Sequence, residues 1–430
     1  MKVMRAKLGL AASVAAVAFT AAMAPPAVAA GRVHSNMAIE WNQTMLSSFA
    51  TANVAPAAAN RLAGVIAAAT FDAVNGIERQ YTAIHVQPAG DPEASPEAAA
   101  ASATYTALVT AFPAQKPSLD AALASSIASL NDDDNGDGSV ALGLAWGSSV
   151  GAQVMAWRAG DGFRAAPPPY TFRTAPGQWQ PTPGPAAGPP CTTGPTGPPC
   201  FRTLATTVPF ALTSPSQFRP AGPPALTSAR YAADLDELIR MGGKISAART
   251  PLQTETATFW QVDTPPAQWD RVADSLAMSH HLNLIKTARL LALVNISLAD
   301  SIIAVFDAKN FYNSWRPVTA MAAIDPSWQP LLVTPYFQEY PSAHAGVSSA
   351  AATILASVFG DETSFTVTSA GLPGAQRTFT SFGDAVSQVS DARVWAGFHF
   401  RFSCDDGAVL GSQVAGYVAA HLMLPAEDDD

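Results

Sequence analysis

Apolar residues recur at helical spacing along most of this chain. From Ser35 to about Phe163 an Ala-rich stretch carries them three and four residues apart, as in Leu62, Ile66, Ala69 and Ala73, which predicts stacked helices. From Leu226 onwards the same period returns over Ala232–Met241, Asp270–Ala308, His344–Phe359 and Phe382–Leu424, with a break expected near Gly397. Strand-like alternation is confined to short pieces such as Phe365-Thr366-Val367. Between the two helical regions, residues 167–224 hold 17 of the 35 prolines, a density that excludes regular helix and predicts a long excursion over the surface, either a spacer or functional. The pattern divides the chain into a leader (1–29), an N-terminal helical region (30–166), the Pro/Gly-rich excursion (167–224), a C-terminal helical region (225–424) and an acidic tail (425–430). The fold class is all-α.

Several features narrow the chemistry. Lys2, Arg5 and Lys7, an apolar run from Leu8 to Met23 and Ala27-Val28-Ala29 read as a secretory signal with an A-x-A cleavage site, so a secreted or periplasmic protein is expected. Without those three cations, 21 basic residues face 33 acidic ones, about −12, which argues against nucleic acid as a partner. The apolar run Leu290–Phe306 is interrupted by Asn295 and Asp300, so a buried amphipathic helix is expected there and no membrane span after signal removal. Cys191 and Cys200 bracket a Pro/Gly loop and could close a disulfide in an oxidising compartment, leaving Cys404 unpaired.

Weaker motifs have simpler readings. Gly147-Ser148-Ser149-Val150-Gly151 matches a nucleophile elbow but lies inside a helical run, where small residues serve close packing. Asp133, Asn135, Asp137 and Gly138 open like a calcium loop, but Leu144 stands where the bidentate Glu belongs. His280 and His281 point about 100° apart on a helix and cannot jointly clasp a metal.

On an acidic chain, an anion site must be a local concentration of Arg and Lys, and three segments supply one. Lys309 and Arg316, seven residues apart, would lie on nearly the same helical face, with Pro317 ending or bending that helix. Ser342 in Pro341-Ser342-Ala343-His344 fits an N-cap. The free N–H groups behind it, from Ala343 and His344, would form an oxyanion cradle. Arg393 and His399 flank Gly397, which would bend the chain so that both reach one ligand.

These residues resemble the motifs of the vanadium-dependent haloperoxidase and type 2 phosphatidic acid phosphatase superfamily, K-x6-RP, PSGH and SR-x5-H, with Ala343 and Ala392 standing where the family has Gly and Ser. The resemblance is to the secreted, soluble haloperoxidase-like branch, and it implies two helical bundles packed around one oxyanion site. Lys309, Arg316 and Arg393 would neutralise vanadate or phosphate, and Ser342 and the Ala343 N–H would donate to it. His399 would be the axial vanadium ligand or a phosphohistidine nucleophile, and His344 would move protons. Trp315 and Phe337 resemble aromatic positions near the halide site. Ser403 stands where many members carry an Asp that orients the histidine, with Asp405 or Asp406 as substitutes. The implied activity is halide oxidation by hydrogen peroxide with vanadate as cofactor; the alternatives are a soluble acid phosphatase acting on phosphate esters, needing no vanadate, and an oxyanion-binding protein of low turnover. The sequence leaves the oligomeric state open.

Overall fold

The computed structural model describes residues 36–131, 138–182 and 197–426. The leader, Asp133–Asp137, Cys191 and the end of the acidic tail lie outside the described residues. The first bundle contains α1 (Met37–Thr51), α2 (Pro56–Glu78), α3 (Pro96–Ala111), α4 (Lys116–Asn131) and α5 (Ser139–Ala159). Beyond the Pro-rich segment come α6 (Ala229–Met241), α7 (Pro251–Phe259), α8 (Pro265–Ser279) and α9 (Leu284–Tyr312). They are followed by α10 (Pro317–Ala322), α11 (Ala343–Phe359), α12 (Phe382–Trp395) and α13 (Arg401–His421). The strands β1 (Phe365–Thr368) and β2 (Gln376–Phe379) pair antiparallel as one hairpin. The all-α, two-bundle architecture holds: α2, α3 and α5 pack together on one side, α9, α11 and α13 on the other, and α2 lies along α9.

The capping chemistry is written locally. Ser95, Ser228, Thr250, Thr264, Asn283, Ser342 and Ser381 each accept a first-turn N–H, and Thr250 with Gln253 completes a capping box. Small residues set the tightest contacts. A Cβ on Gly147 would sit 2.2 Å from the Ala99 carbonyl oxygen, so the elbow-like motif is the close α3–α5 crossing. A Cβ on Gly411 would sit 1.9 Å from the Gly346 oxygen, so α13 meets α11 backbone to backbone.

Three expectations change. The single helical pattern over Asp270–Ala308 is two helices, because α8 stops at Ser279 and His281 takes a left-handed φ of 53°. His280 then rests against Phe359. The run Leu290–Phe306 belongs to α9, which is long and apolar enough to cross a membrane but is buried inside the fold on all sides rather than amphipathic.

The third change concerns the Pro-rich segment, which is a surface excursion only in part: residues 167–169 and 171–176 are exposed, but farther along it enters the core. Trp179 and Leu204 are fully buried, and Cys200 and Phe201 nearly so. Asp300 on α9 accepts the backbone N–H groups of Phe210, Ala211 and Leu212 at 2.6–3.1 Å. Arg219 makes a two-bond pair with Asp307 farther along the same helix. A coil without its own hydrogen-bond ladder can be buried only if something else satisfies its N–H groups, and Asp300 does so. Cys200 is disulfide-bonded and Cys404 is a buried free thiol.

Two carboxyls interrupt the core away from these straps. Asp270 and Asp274 of α8 accept from Asn295 at 2.8 Å and Asn42 at 3.0 Å, while the second oxygen of each has no partner. Burial raises both, Asp274 to about 7. A carboxyl raised in the folded state holds its proton more tightly than in the unfolded chain, so its contribution is complete below about pH 4 and is lost as pH rises through about 7. The melting temperature is therefore expected to fall between pH 5 and pH 8, and Asp274→Asn to flatten that slope and melt higher at pH 8. Calorimetric scans across this range check it; an unchanged slope in the variant would assign the pH dependence elsewhere.

Candidate active site

Lys309 ends the buried face of α9. Asn313, in a left-handed conformation, closes the helix with its N–H on the Lys309 carbonyl at 3.0 Å. Arg316 is therefore not on the same helix as Lys309: it is the N-cap of α10, and Pro317 starts that helix instead of ending the previous one. The two cations still converge. Lys309 Nζ donates to the carbonyls of Gln338 and Glu339 at 2.9 and 2.7 Å, and Arg316 Nε donates to that of Phe337 at 2.8 Å. Phe337 lies beneath both, its ring centroid 5.4 Å from Lys309 Nζ and 4.9 Å from the Arg316 guanidinium carbon.

Ser342 is the N-cap of α11, as its position before the apolar run predicts. Its N–H donates to the Ser403 carbonyl at 2.9 Å, and Gly407 allows close approach, since a Cβ there would lie 2.6 Å from the Ser342 oxygen. The start of α11 is thereby fixed against the start of α13, with the Ala343 and His344 N–H groups lacking intrahelical acceptors. Gly397, at φ +79°, turns the chain between α12 and α13. Arg393 near the end of α12 and His399 just before α13 thus reach the same space from two helices.

The groups interlock around His399. Glu339 Oε1 lies 2.9 Å from His399 Nδ1 and also accepts the Phe400 N–H at 3.2 Å. A carboxylate at Nδ1 places the ring proton there and leaves a lone pair on Nε2, which Arg316 Nη1 meets at 3.1 Å. Ser403 Oγ is a longer contact, 3.4 Å from Nδ1. Asp405 and Asp406 do not substitute for the missing acid: Asp406 accepts from the Tyr340 hydroxyl, and Asp405 faces Arg230. The orienting carboxylate is Glu339, which sequence reasoning missed.

Lys309, Arg316, Glu339, Ser342, Arg393 and His399 are each at most 2% exposed. Burial, followed by the neighbouring cations, pushes both His344 and His399 well below the ordinary imidazole range, so both are neutral near pH 7. Burial lowers Lys309 well below its usual value, Arg316 to about 10 and Arg393 to about 9. Glu339 is raised by burial to about 7, against the pull of Lys309 and Arg316. With Lys309, Arg316 and Arg393 protonated and Glu339 ionised, three cations face one carboxylate, a net +2 in a dry pocket that calls for an anion. Arg316 Nη2 and Arg393 Nε have no hydrogen-bond partner, so donors stand ready for its oxygens. Among the described residues no cluster of three or more His, Cys, Asp or Glu side chains is arranged to hold a metal cation.

A cavity of about 240 Å³ reaches this cradle through His344, Ala343, Phe337 and Gln261. Gln261, a second residue missed from sequence, accepts from Arg393 Nη1 at 2.9 Å. Trp315 does not line this cavity. It packs with Tyr231, Tyr340, Phe400 and Phe402 and borders a separate, smaller cavity behind Glu339.

A two-bundle helical protein with a buried oxyanion cradle and one free imidazole nitrogen is the class these features define. Residues 322–427 match the family described as the VCPO second helical-bundle domain. The vanadium chloroperoxidase of Curvularia inaequalis is 29% identical over 164 residues, a match covering 29% of this chain and 27% of that relative. The crystal structure of the first bacterial vanadium-dependent iodoperoxidase superposes with a TM-score of 0.75 at 26% identity, covering 90% of this chain and 97% of that one. A holo-type bacterial vanadium-dependent chloroperoxidase shares the fold, with a TM-score of 0.67 at 18% identity over 85% of this chain and 91% of the other. Residues 322–427 thus resemble the second-bundle domain of that family, and the chain as a whole shares the fold of bacterial vanadium haloperoxidases.

Proposed function

We propose that this chain is an exported vanadium-dependent haloperoxidase that oxidises halide with hydrogen peroxide. The observation that carries the reading is the pairing of an anion cradle with an available His399 Nε2, held in that tautomer by Glu339. The donor set fits vanadate: three buried cations, unpartnered N–H groups on Arg316 and Arg393, the Ser342 hydroxyl and the backbone N–H of Ala343. Vanadate, when bound, supplies an electrophilic centre at which peroxide is activated toward halide.

The protein's own contribution is placement and proton control. Lys309, Arg316 and Arg393 hold the negative charge, with Phe337 stacked beneath the first two. His399, whose Nε2 carries the available lone pair, would hold the vanadium. His344 lines the cavity, kept neutral by burial, so that its ring can accept a proton from arriving peroxide. The extra methyl of Ala343 lines the same cavity and leaves the N–H donor in place.

The test is peroxide-dependent oxidation of iodide and bromide by the mature protein after removal of phosphate, with and without orthovanadate. Activity is expected only with vanadate and is expected to be lost when phosphate competes. Vanadate binding without oxidation of either halide would overturn the reading and point to phosphate esters, with His399 as the phosphorylated nucleophile.

A further inference from the structure

The cavity behind Glu339 shares no lining residue with the one that serves the cradle, and it has a volume of about 170 Å³. Rings from three parts of the chain build it: Tyr231 of α6, Tyr312 and Trp315 around the end of α9, and Phe400 and Phe402 at the start of α13. Phe400 and Phe402 stack with their planes 10° apart, and Tyr231 leans over both, its centroid 5.2 and 6.2 Å from theirs. Aromatic faces carry partial negative charge, so a cage of them attracts a cation. The cations of the cradle do not fill this role, since Lys309 and Arg316 lie over Phe337 instead.

Glu339 lines the same cavity. Its Oε1 is occupied by His399 Nδ1 and the Phe400 N–H, whereas Oε2 is buried without a hydrogen-bond partner. The cradle's donors point elsewhere: Lys309 Nζ to backbone carbonyls, Arg316 Nη1 to Phe398 and His399, and the Ser403 hydroxyl toward His399 Nδ1. Ser314 Oγ, also buried on this wall, has no partner either. A buried carboxylate oxygen left unpaired is costly, and a positive ligand relieves that cost where a neutral one does not. A bare metal ion would need several oxygen ligands, which aromatic walls do not supply. The fitting ligand carries its charge inside an apolar shell. A cavity of about 150 Å³ holds benzene, so this one takes a trimethylammonium group of similar bulk. Ala225 and Leu226 on its lining are exposed, which gives access from solvent.

We propose that this aromatic cage binds a small organic ammonium ion of the trimethylammonium class, its charge held between the rings and Glu339 Oε2. The site does not depend on the haloperoxidase reading. It does touch the oxyanion site, because Glu339 is the carboxylate that orients His399. A cation on one side of Glu339 and an anion in the cradle on the other attract each other. Each therefore strengthens the binding of the other, and by the same factor.

Calorimetric titration of the full mature chain with choline, without vanadate and at pH 8 where the Glu339 carboxyl is ionised, reads the binding alone. Saturable binding is expected with a Kd on the order of 1 mM or tighter. The neutral isostere 3,3-dimethylbutan-1-ol, which has the same shape without the charge, is expected to bind about tenfold more weakly or not at all. Trp315→Leu keeps apolar bulk on the wall but removes a ring face. It is expected to weaken choline about fivefold and to leave the neutral alcohol unchanged, with a melting curve to confirm the fold. Saturating phosphate is expected to tighten choline by about threefold. No saturable binding of choline, or equal affinity for the alcohol, would overturn the ammonium site. Choline binding indifferent both to Trp315→Leu and to phosphate would place the cation elsewhere and overturn the cage. None of these outcomes bears on halide oxidation, so the site and the haloperoxidase reading can fail separately.

Discussion

His399→Ala is expected to lower vanadate-dependent halide oxidation by on the order of 10³-fold or more, the largest effect of any single substitution in the site. The imidazole is the neutral ring that Glu339 orients within the cradle, and its Nε2 is the atom left free by that contact. Because His399 carries no charge there, its removal leaves the net +2 of Lys309, Arg316, Arg393 and Glu339 in place. Phosphate affinity, which depends on that charge, is therefore expected to change by less than about tenfold. The variant thus separates holding the anion from using it. Parallel measurement of halide oxidation and of phosphate binding by calorimetry checks the prediction, with a melting curve to confirm the fold. Undiminished oxidation would remove His399 from the mechanism, and loss of phosphate binding with the fold intact would mean the imidazole helps shape the cradle.

The parts of this site that were legible in the sequence are those whose physics is local. Ser342 announces a helix start because a hydroxyl before an apolar run satisfies first-turn N–H groups. Gly397 announces a bend because α12 and α13 must turn there through a positive φ. Lys309 and Arg316 were identifiable as a pair of cations, but not in their true geometry. Reading them on one helical face overlooks Asn313, which readily takes the left-handed turn that closes α9, and Pro317, which favours a first helical position. Both signals stand in the sequence. Charge spacing alone outweighs them only when the helix is assumed continuous.

What was not legible depends on contacts between distant segments. Glu339 is an isolated acid among aromatic and polar neighbours, and its partner His399 lies 60 residues farther along the chain. The family position four residues after the histidine draws attention to Ser403 and the acids behind it. On α13, however, those acids face Tyr340 and Arg230. The Pro-rich segment hides its role in the same way. Its prolines advertise the absence of helix, which is correct, but its burial depends on Asp300 receiving three of its N–H groups from across the fold. Trp179, Phe201 and Leu204 are the readable trace of that burial, since large apolar residues punctuating a Pro/Gly stretch have little reason to face water.

Glu339→Gln isolates what this carboxylate does for His399. The amide oxygen of Gln can still accept the Nδ1 proton at the same place, so ring orientation is largely retained, but the negative charge that raises imidazole basicity is gone. Losses of 10–100-fold are common when the partner of a metal-binding histidine is replaced, and turnover is expected to fall by about that amount. Anion affinity is expected to move the other way. Removing one negative charge takes the cradle from +2 to +3, so phosphate should bind at least as tightly as in the wild type. The pH profile adds a third signature. Burial places the Glu339 carboxyl at about 7, and a bound anion beside it raises it further, so wild-type turnover is expected to climb as pH rises through and above 7 and the carboxylate forms. Gln cannot ionise, and the variant should lack this limb. Steady-state rates from pH 5 to pH 9, with phosphate titrations at the two ends, test all three. A variant that keeps the limb would assign the ionisation to another group, whereas weakened phosphate binding would show that Glu339 acts chiefly by holding the backbone around Lys309 and Phe400 in place.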